Sequence, residues 1–238
     1  MNLDFAGTLP SGWGRVWTRV VGMILETERA AVCAYARRMV GDGLVVGTSG
    51  NVSVRAGDLV AVTPTGVPYS SLTPVDVPVV DLGGAVVDGS LKPTSELPTH
   101  LSVYWDVRDP DSEPVTAVVH THAPHATAVS TLVRELPPIH YIIATIGPSV
   151  RVARYATYGT PELAAAVLEA LDGRRGCLMA NHGTLTYGDG LEAAYQRAQQ
   201  LEWACRVWLL AQSAGRPNLL PPAEVANVIE RLRGYGQG

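Results

Sequence analysis

The sequence predicts an α/β fold, a three-layer α/β/α sandwich with a mostly antiparallel central sheet. Two observations predict it. Apolar strand-like runs and amphipathic helical stretches alternate along the chain, and the runs come as adjacent pairs separated by helices, which favours antiparallel pairing within one covered sheet. The length of 238 residues and the 47% hydrophobic content suit one large domain. The division expected is an N-terminal extension over 1–22 and a single catalytic domain over 23–238.

The elements follow in order. Residues 26–40 read as a helix with Ala30, Ala31, Ala34 and Tyr35 near one face, stopped by Gly41 and Gly43. Strands are expected over 51–55 and 59–63, then a turn at Pro64-Thr65-Gly66. Gly83-Gly84 links 77–81 and 85–88 as a hairpin, and 95–105 reads as a helix approached through Pro93 and Thr94. A buried strand over 115–122 precedes a short helix over 125–134, and the β-branched run 139–145 reads as another strand. Thr160-Pro161-Glu162 is a helix start, with an N-cap threonine and proline in the first turn; that helix runs to Leu171. Strands over 176–180 and 184–187 flank Asn181-His182-Gly183. The longest helix covers 191–214, and Pro221-Pro222 precedes a last helix over 223–232.

Composition narrows the function. A net charge of −4 and the lack of a long basic block leave no basis for nucleic-acid or anionic-membrane binding. No apolar run approaches a membrane span, and residues 1–12 lack the form of a secretory signal. Cys33, Cys177 and Cys205 are odd in number and lie in apolar stretches without a CxxC, as free buried thiols in a reducing cytoplasm would. Of 18 basic residues the only lysine is Lys92, in the Gly/Pro-bounded loop Gly89-Ser90-Leu91-Lys92-Pro93. Schiff-base chemistry needs a desolvated lysine, so carbonyl chemistry here would draw on a metal as its electron sink.

His120-Thr121-His122 closes the strand that starts at Val115. Side chains at i and i+2 share one face of a strand, so both imidazoles can reach one ion, although a chance pair looks the same. His182, on the turn between two later strands, offers a third nitrogen, and three neutral imidazoles leave a zinc position open for substrate. Mn²⁺ and Co²⁺ suit the same set. His125 and His140 read as hydrogen-bonded structural histidines, and so does His100, which shares a helical face with Glu96. Three segments rich in Gly, Ser and Thr precede the metal strand: Thr48-Ser49-Gly50-Asn51, Thr63-Pro64-Thr65-Gly66 and Thr94-Ser95-Glu96. Each alone is an ordinary turn or cap. Together with a metal they point to a phosphorylated or carboxylated ligand held by hydroxyls, backbone N–H groups and a helix start at Ser95. The lack of GxGxxG or Walker sequences disfavours a nucleotide.

These segments in this order, with His140-Tyr141 and Asn181-His182-Gly183, resemble the class II aldolase/adducin family over about residues 25–236. Further likeness lies in Ala123 to Ser130 and Tyr155 to Thr160. The resemblance implies an adducin-head-like sandwich with one Zn²⁺ per subunit held by His120, His122 and His182. Glu96 would complete the resting site and then shuttle a proton. Thr48, Gly50, Asn51, Thr65, Gly66, Thr94 and Ser95 would hold the phosphate and orient the donor. Tyr141 would reach a neighbouring subunit's site as acid/base, and Tyr235 would cover it. The implied protein is a cytoplasmic homotetramer with sites between subunits. The implied activity is zinc-dependent retro-aldol cleavage of a ketose 1-phosphate of the L-fuculose 1-phosphate type, to dihydroxyacetone phosphate and a small aldehyde such as L-lactaldehyde. A pentulose-phosphate 4-epimerase and a non-catalytic adducin-like interaction module are the alternatives. No Asp or Glu between Pro137 and Val150 disfavours epimerisation, and the retained histidines and Glu96 disfavour the module.

Overall fold

A computed structural model describes residues 22–111 and 113–233. The expected extension, apart from Gly22, and Tyr235 lie outside the described residues. Among the described residues, six α-helices surround nine strands: α1 (Glu26–Gly41), β1 (Asn51–Ala56), β2 (Leu59–Val62), β3 (Val79–Asp81), β4 (Val86–Asp88), α2 (Leu97–Asp106), β5 (Ala117–Thr121), α3 (Pro124–Ser130), β6 (Glu135–Leu136), β7 (Val150–Ala153), α4 (Pro161–Leu171), β8 (Gly176–Met179), β9 (Gly183–Gly188), α5 (Leu191–Ala214) and α6 (Pro222–Arg233). The strands form one sheet in the order β4-β3-β2-β1-β5-β9-β8-β7-β6. Every pairing is antiparallel except β7 with β8, so the sheet is mixed.

Both faces are covered, which gives three layers. Alternating residues separate the two cores, as the period of a strand requires. Ala61, Val79, Ala117, Val119 and Leu178 point into a core shared with α1, α3 and α5. Val60, Val80, Val118, Cys177 and Met179 point into a second core with α2 and α4. Each fully buried Val or Leu contributes about 1.5–3 kcal/mol. In α1 the wholly buried Arg29 ion-pairs with Asp88 of β4, tying the helix to the outermost hairpin. The three cysteines are buried and free, and no helix among the described residues is long and apolar enough to cross a membrane.

Several boundaries differ from the sequence reading. The run 139–145 is not a strand. It follows Pro137-Pro138, and Tyr141–Thr145 forms a short 3-10 helix in which the His140 ring accepts from the Ile142 N–H at 3.1 Å. The strand next to β8 is instead β7, in the Val-Arg-Val-Ala alternation that was not assigned. Helix α2 starts at Leu97, with Glu96 as its N-cap residue, so Ser95 stands before the helix rather than opening it. Strand β5 ends at Thr121, which puts His122 just past the sheet. Thr160 caps α4 as expected, accepting from the Leu163 N–H at 3.3 Å.

Candidate active site

Strand β5 lies in the middle of the sheet, between β1 and β9. Register places Asn51 opposite His120 and Thr121 opposite Thr184. The β8–β9 turn therefore returns His182 alongside His122. Two features permit this turn: Asn181 takes the left-handed conformation, φ 55°, and Gly183 has no side chain. A Cβ at 183 would lie 2.0 Å from the Thr121 carbonyl oxygen, so β9 can follow β5 this closely only as glycine. We expect Gly183→Ala to cost several kcal/mol, in the overpacking range, and to force His182 away from His122. The check is a lowered thermal midpoint with reduced metal content; a variant as stable and as metal-rich as the parent would refute the packing argument.

His120, His122 and His182 form a tripod. Their ring centroids are 4.8–4.9 Å apart and their planes are 72°, 79° and 89° to one another. His120 donates Nδ1–H to the Thr184 carbonyl at 2.7 Å, which leaves Nε2 facing inward. That atom lies 2.9 Å from His122 Nε2 and 3.0 Å from Glu96 Oε2. The other Glu96 oxygen, Oε1, lies 3.3 Å from His182 Nε2. The contact is close enough for an ion pair, but its direction makes no hydrogen bond, and Oε1 is buried without a partner.

One donor atom from each of these four residues falls within 4.8 Å of the others. Converging lone pairs this close repel unless a cation sits among them. Burial pushes the His120 imidazole down, but the adjoining Glu96 carboxylate overrides this and raises its pKa, which favours a proton there. Burial and then the positive His120 push His122 down to about 3, and burial with the same charge pushes His182 down to about 4. Both are thus neutral at pH 7, the form that ligates metal. Burial raises the Glu96 carboxyl, yet His120, His182 and the Asn51 amide together hold it well below the usual carboxylate range. Nitrogen ligands around a tetrahedral zinc ion sit about 3.3 Å apart, given Zn–N bonds of about 2.0–2.1 Å. The donor set and its orphaned oxygen fit one divalent cation.

The cluster opens into a cavity of ≈ 560 Å³. All three segments rich in Gly, Ser and Thr line it, through Thr48, Gly50, Asn51, Thr65, Gly66, Thr94 and Ser95, with Glu96, His122 and His182. Backbone hydrogen bonds join two of these segments: Thr65 N–H to the Lys92 carbonyl, 3.0 Å, and Thr94 N–H to the Thr63 carbonyl, 2.9 Å. The third is held where the Tyr69 hydroxyl donates to the Gly50 carbonyl at 2.5 Å. Gly50 has φ 73°, and a Cβ there would meet Val45 at 2.6 Å and the His120 carbonyl at 2.8 Å. Among the described residues, no lysine or arginine lines the cavity. Tyr155 and Tyr158, which the sequence reading gave no role, stand at the wall and are 64% and 65% exposed.

Three residues fall outside this grouping or sit differently within it. Tyr141 does not line the cavity; it is 52% exposed and packs on the His140 ring. Tyr235 is outside the described residues. Asn51 is buried and turns its amide inward, giving Nδ2–H to Glu96 Oε2 at 2.8 Å. The remaining histidines have protein partners. His125 contacts Glu202 at 2.5 Å, His140 packs between Tyr141 and Trp203, and the wholly buried His100 joins Asn51 and Ser53.

His100 has a pH consequence of its own. Burial, then the nearby positive His120, push its pKa down to about 3 from an ordinary value near 6.5. Below about pH 6.5 the unfolded chain takes up a proton that the folded chain refuses, so stability is lost as pH falls and is unaffected above that value. We expect metal-free His100→Gln to lose less stability than metal-free parent between pH 6.5 and about 3. The difference in slope should approach about 1.4 kcal/mol per pH unit. Urea denaturation at stepped pH measures it, and parallel curves would show that His100 does not stay neutral in the fold.

Comparison with known proteins places the chain in a family. Residues 30–209 match the family model for the Class II Aldolase and Adducin N-terminal domain, and the chain belongs to that family. It is a metal-dependent class II aldolase. It is 40% identical over 217 residues to a 5-deoxy-D-ribulose 1-phosphate aldolase of Bacillus thuringiensis serovar kurstaki, covering 90% of this chain and 100% of the relative. It is 41% identical over 196 residues to an L-fuculose phosphate aldolase of Escherichia coli K12, covering 82% and 88%. A solved L-fuculose 1-phosphate aldolase superposes with a TM-score of 0.82 at 36% identity, covering 87% of this chain and 96% of the other.

Proposed function

We propose that this aldolase cleaves a ketose 1-phosphate, of the L-fuculose 1-phosphate or 5-deoxyribulose 1-phosphate type, into dihydroxyacetone phosphate and a short aldehyde. The observation that carries the reading is the cluster of three imidazoles and a carboxylate opening into a cavity walled by hydroxyls and glycines. The relatives named above are aldolases of 5-deoxy-D-ribulose 1-phosphate and of L-fuculose phosphate, and the solved structure is of an L-fuculose 1-phosphate aldolase.

His120, His122, His182 and Glu96 would hold one Zn²⁺, and Mn²⁺ or Co²⁺ would fit the same donors. A divalent cation there supplies Lewis-acid stabilisation of the negative charge that builds on the donor carbonyl oxygen as the carbon–carbon bond breaks. Thr48, Gly50, Thr65, Gly66, Thr94 and Ser95 bind the phosphate with hydroxyls and backbone N–H groups, since no described residue of the wall is cationic. Asn51 orients Glu96 beneath the donor. Glu96, once free of the resting cluster, moves the proton at the donor carbon. Tyr141, exposed and not among the residues lining its own chain's cavity, serves the site of a neighbouring copy as acid/base at the aldehyde oxygen, which requires a homo-oligomer, taken here as a tetramer. Tyr235 covers the site. Three buried free thiols suit a cytoplasmic enzyme.

The deciding experiment assays purified, metal-analysed protein against a panel of ketose 1-phosphates, with coupled detection of dihydroxyacetone phosphate and separate identification of the aldehyde. Release of both products from a 1-phosphorylated deoxyketose, abolished by chelation and restored by Zn²⁺, is the expected result. Failure to release dihydroxyacetone phosphate from any member of the panel would overturn the reading.

A further inference from the structure

Behind the cluster runs a buried line of side chains whose far members, His100, Ser53 and Tyr104, the mechanism above does not use. Glu96 Oε2 accepts from Asn51 Nδ2–H at 2.8 Å. The other end of that amide, Oδ1, lies 2.5 Å from His100 Nε2. His100 Nδ1 lies 2.6 Å from Ser53 Oγ, which lies 2.7 Å from the Tyr104 hydroxyl. Asn51, Ser53, His100 and Tyr104 are all at most 5% exposed. Donors and acceptors admit one arrangement. A carboxylate can only accept, so Asn51 must present its NH₂ to Glu96 and its oxygen to His100. His100 must then carry its proton on Nε2, and its bare Nδ1 accepts from Ser53, whose oxygen accepts from Tyr104. Every bond points toward Glu96.

We propose that His100 is a positioning residue that acts through Asn51 on the metal-binding carboxylate. Its Nε2–H pins the Asn51 oxygen and so holds the amide where its NH₂ can donate to Glu96. Without that donor the Asn51 oxygen is buried and unsatisfied, and the amide gains by shifting toward another partner. That shift would loosen its N–H contact with Glu96 and let the carboxylate leave its place beside His120. The four-residue spacing of Glu96 and His100 on and just before α2 aims both side chains at Asn51 from one side, while Ser53 reaches His100 from two residues further along β1. Ser53 and Tyr104 hold the His100 tautomer, and because the ring stays neutral the chain does not reverse near neutral pH. The inference rests on the reading of Glu96 as a metal ligand, but it concerns this chain's own side chains.

The test is zinc affinity, measured on demetallated protein by competition with a chromophoric chelator. Outer partners of a metal ligand are typically worth 10–100-fold in affinity. His100→Leu should weaken zinc binding about 10-fold, and His100→Gln, which keeps an N–H donor, should stay within about threefold of the parent. In an Asn51→Ala background, His100→Leu should have no further effect, since the residue through which it acts is gone. Equal losses in both backgrounds, or no loss from His100→Leu alone, overturn the proposal. Histidine-selective ¹⁵N NMR of the parent decides it even if the leucine variant does not fold: His100 should show a proton on Nε2 and a bare Nδ1, and the opposite tautomer refutes the chain. Parent protein that binds no zinc at all would instead sink the functional reading.

Discussion

Glu96→Gln should retain its metal and lose turnover by a factor of about 10²–10⁴, the range of a positioned proton-transfer group. The amide is nearly isosteric, and its oxygen can still accept the Asn51 N–H that now reaches Oε2. The three imidazoles remain, and three nitrogen donors suffice to hold a divalent ion. What disappears is a group that can take up and release a proton at the donor carbon. Steady-state kinetics on metal-quantified protein provide the check. A kcat within about threefold of the parent would remove Glu96 from the chemistry and leave it a ligand only.

Removing a ligand outright should cost metal as well as turnover. His122 suits the experiment because it lies just past β5 and is only partly buried. His120 is sealed beneath it at 2% exposure and would leave a hole in the sheet. We expect His122→Ala to fold, to bind zinc substoichiometrically under conditions that saturate the parent, and to lose on the order of 10²–10⁴ in kcat/KM. That factor corresponds to several kcal/mol of Lewis-acid stabilisation at about 1.36 kcal/mol per decade. Circular dichroism, metal content and product release, taken together, separate loss of metal from loss of fold. Stoichiometric zinc with near-parental turnover would show that a different residue completes the centre.

The sequence makes the first ring of this site legible because its signals are local. His120 and His122 are two apart at the end of β5, and His182 sits in an Asn-His-Gly turn in which Asn181 is left-handed. The cradle segments announce themselves by composition. What lies behind them is not local. The inward turn of the Asn51 amide depends on two α2-side residues 45 and 49 positions away, and nothing near Asn51 or Ser53 signals it. His100 reads as structural in the sequence, since sharing a helical face with Glu96 says nothing about which nitrogen is protonated. The 139–145 run shows a second limit. Short β-branched stretches do not by themselves distinguish a sheet strand from a packed turn, and here the prolines before the run and the His140 ring settle the matter. The parallel β7–β8 pair was missed because β7 carries arginine between its valines at the margin of the sheet.

Lys92 ties composition to practice. Its loop is exposed, and its carbonyl holds Thr65 beside Thr94 at the cavity wall. As the chain's single lysine, it offers amine-reactive dyes one side-chain attachment point, two positions from that wall. A fluorophore coupled there would sit at the doorway of the pocket, and its emission would follow a sugar phosphate arriving and leaving without any engineered cysteine.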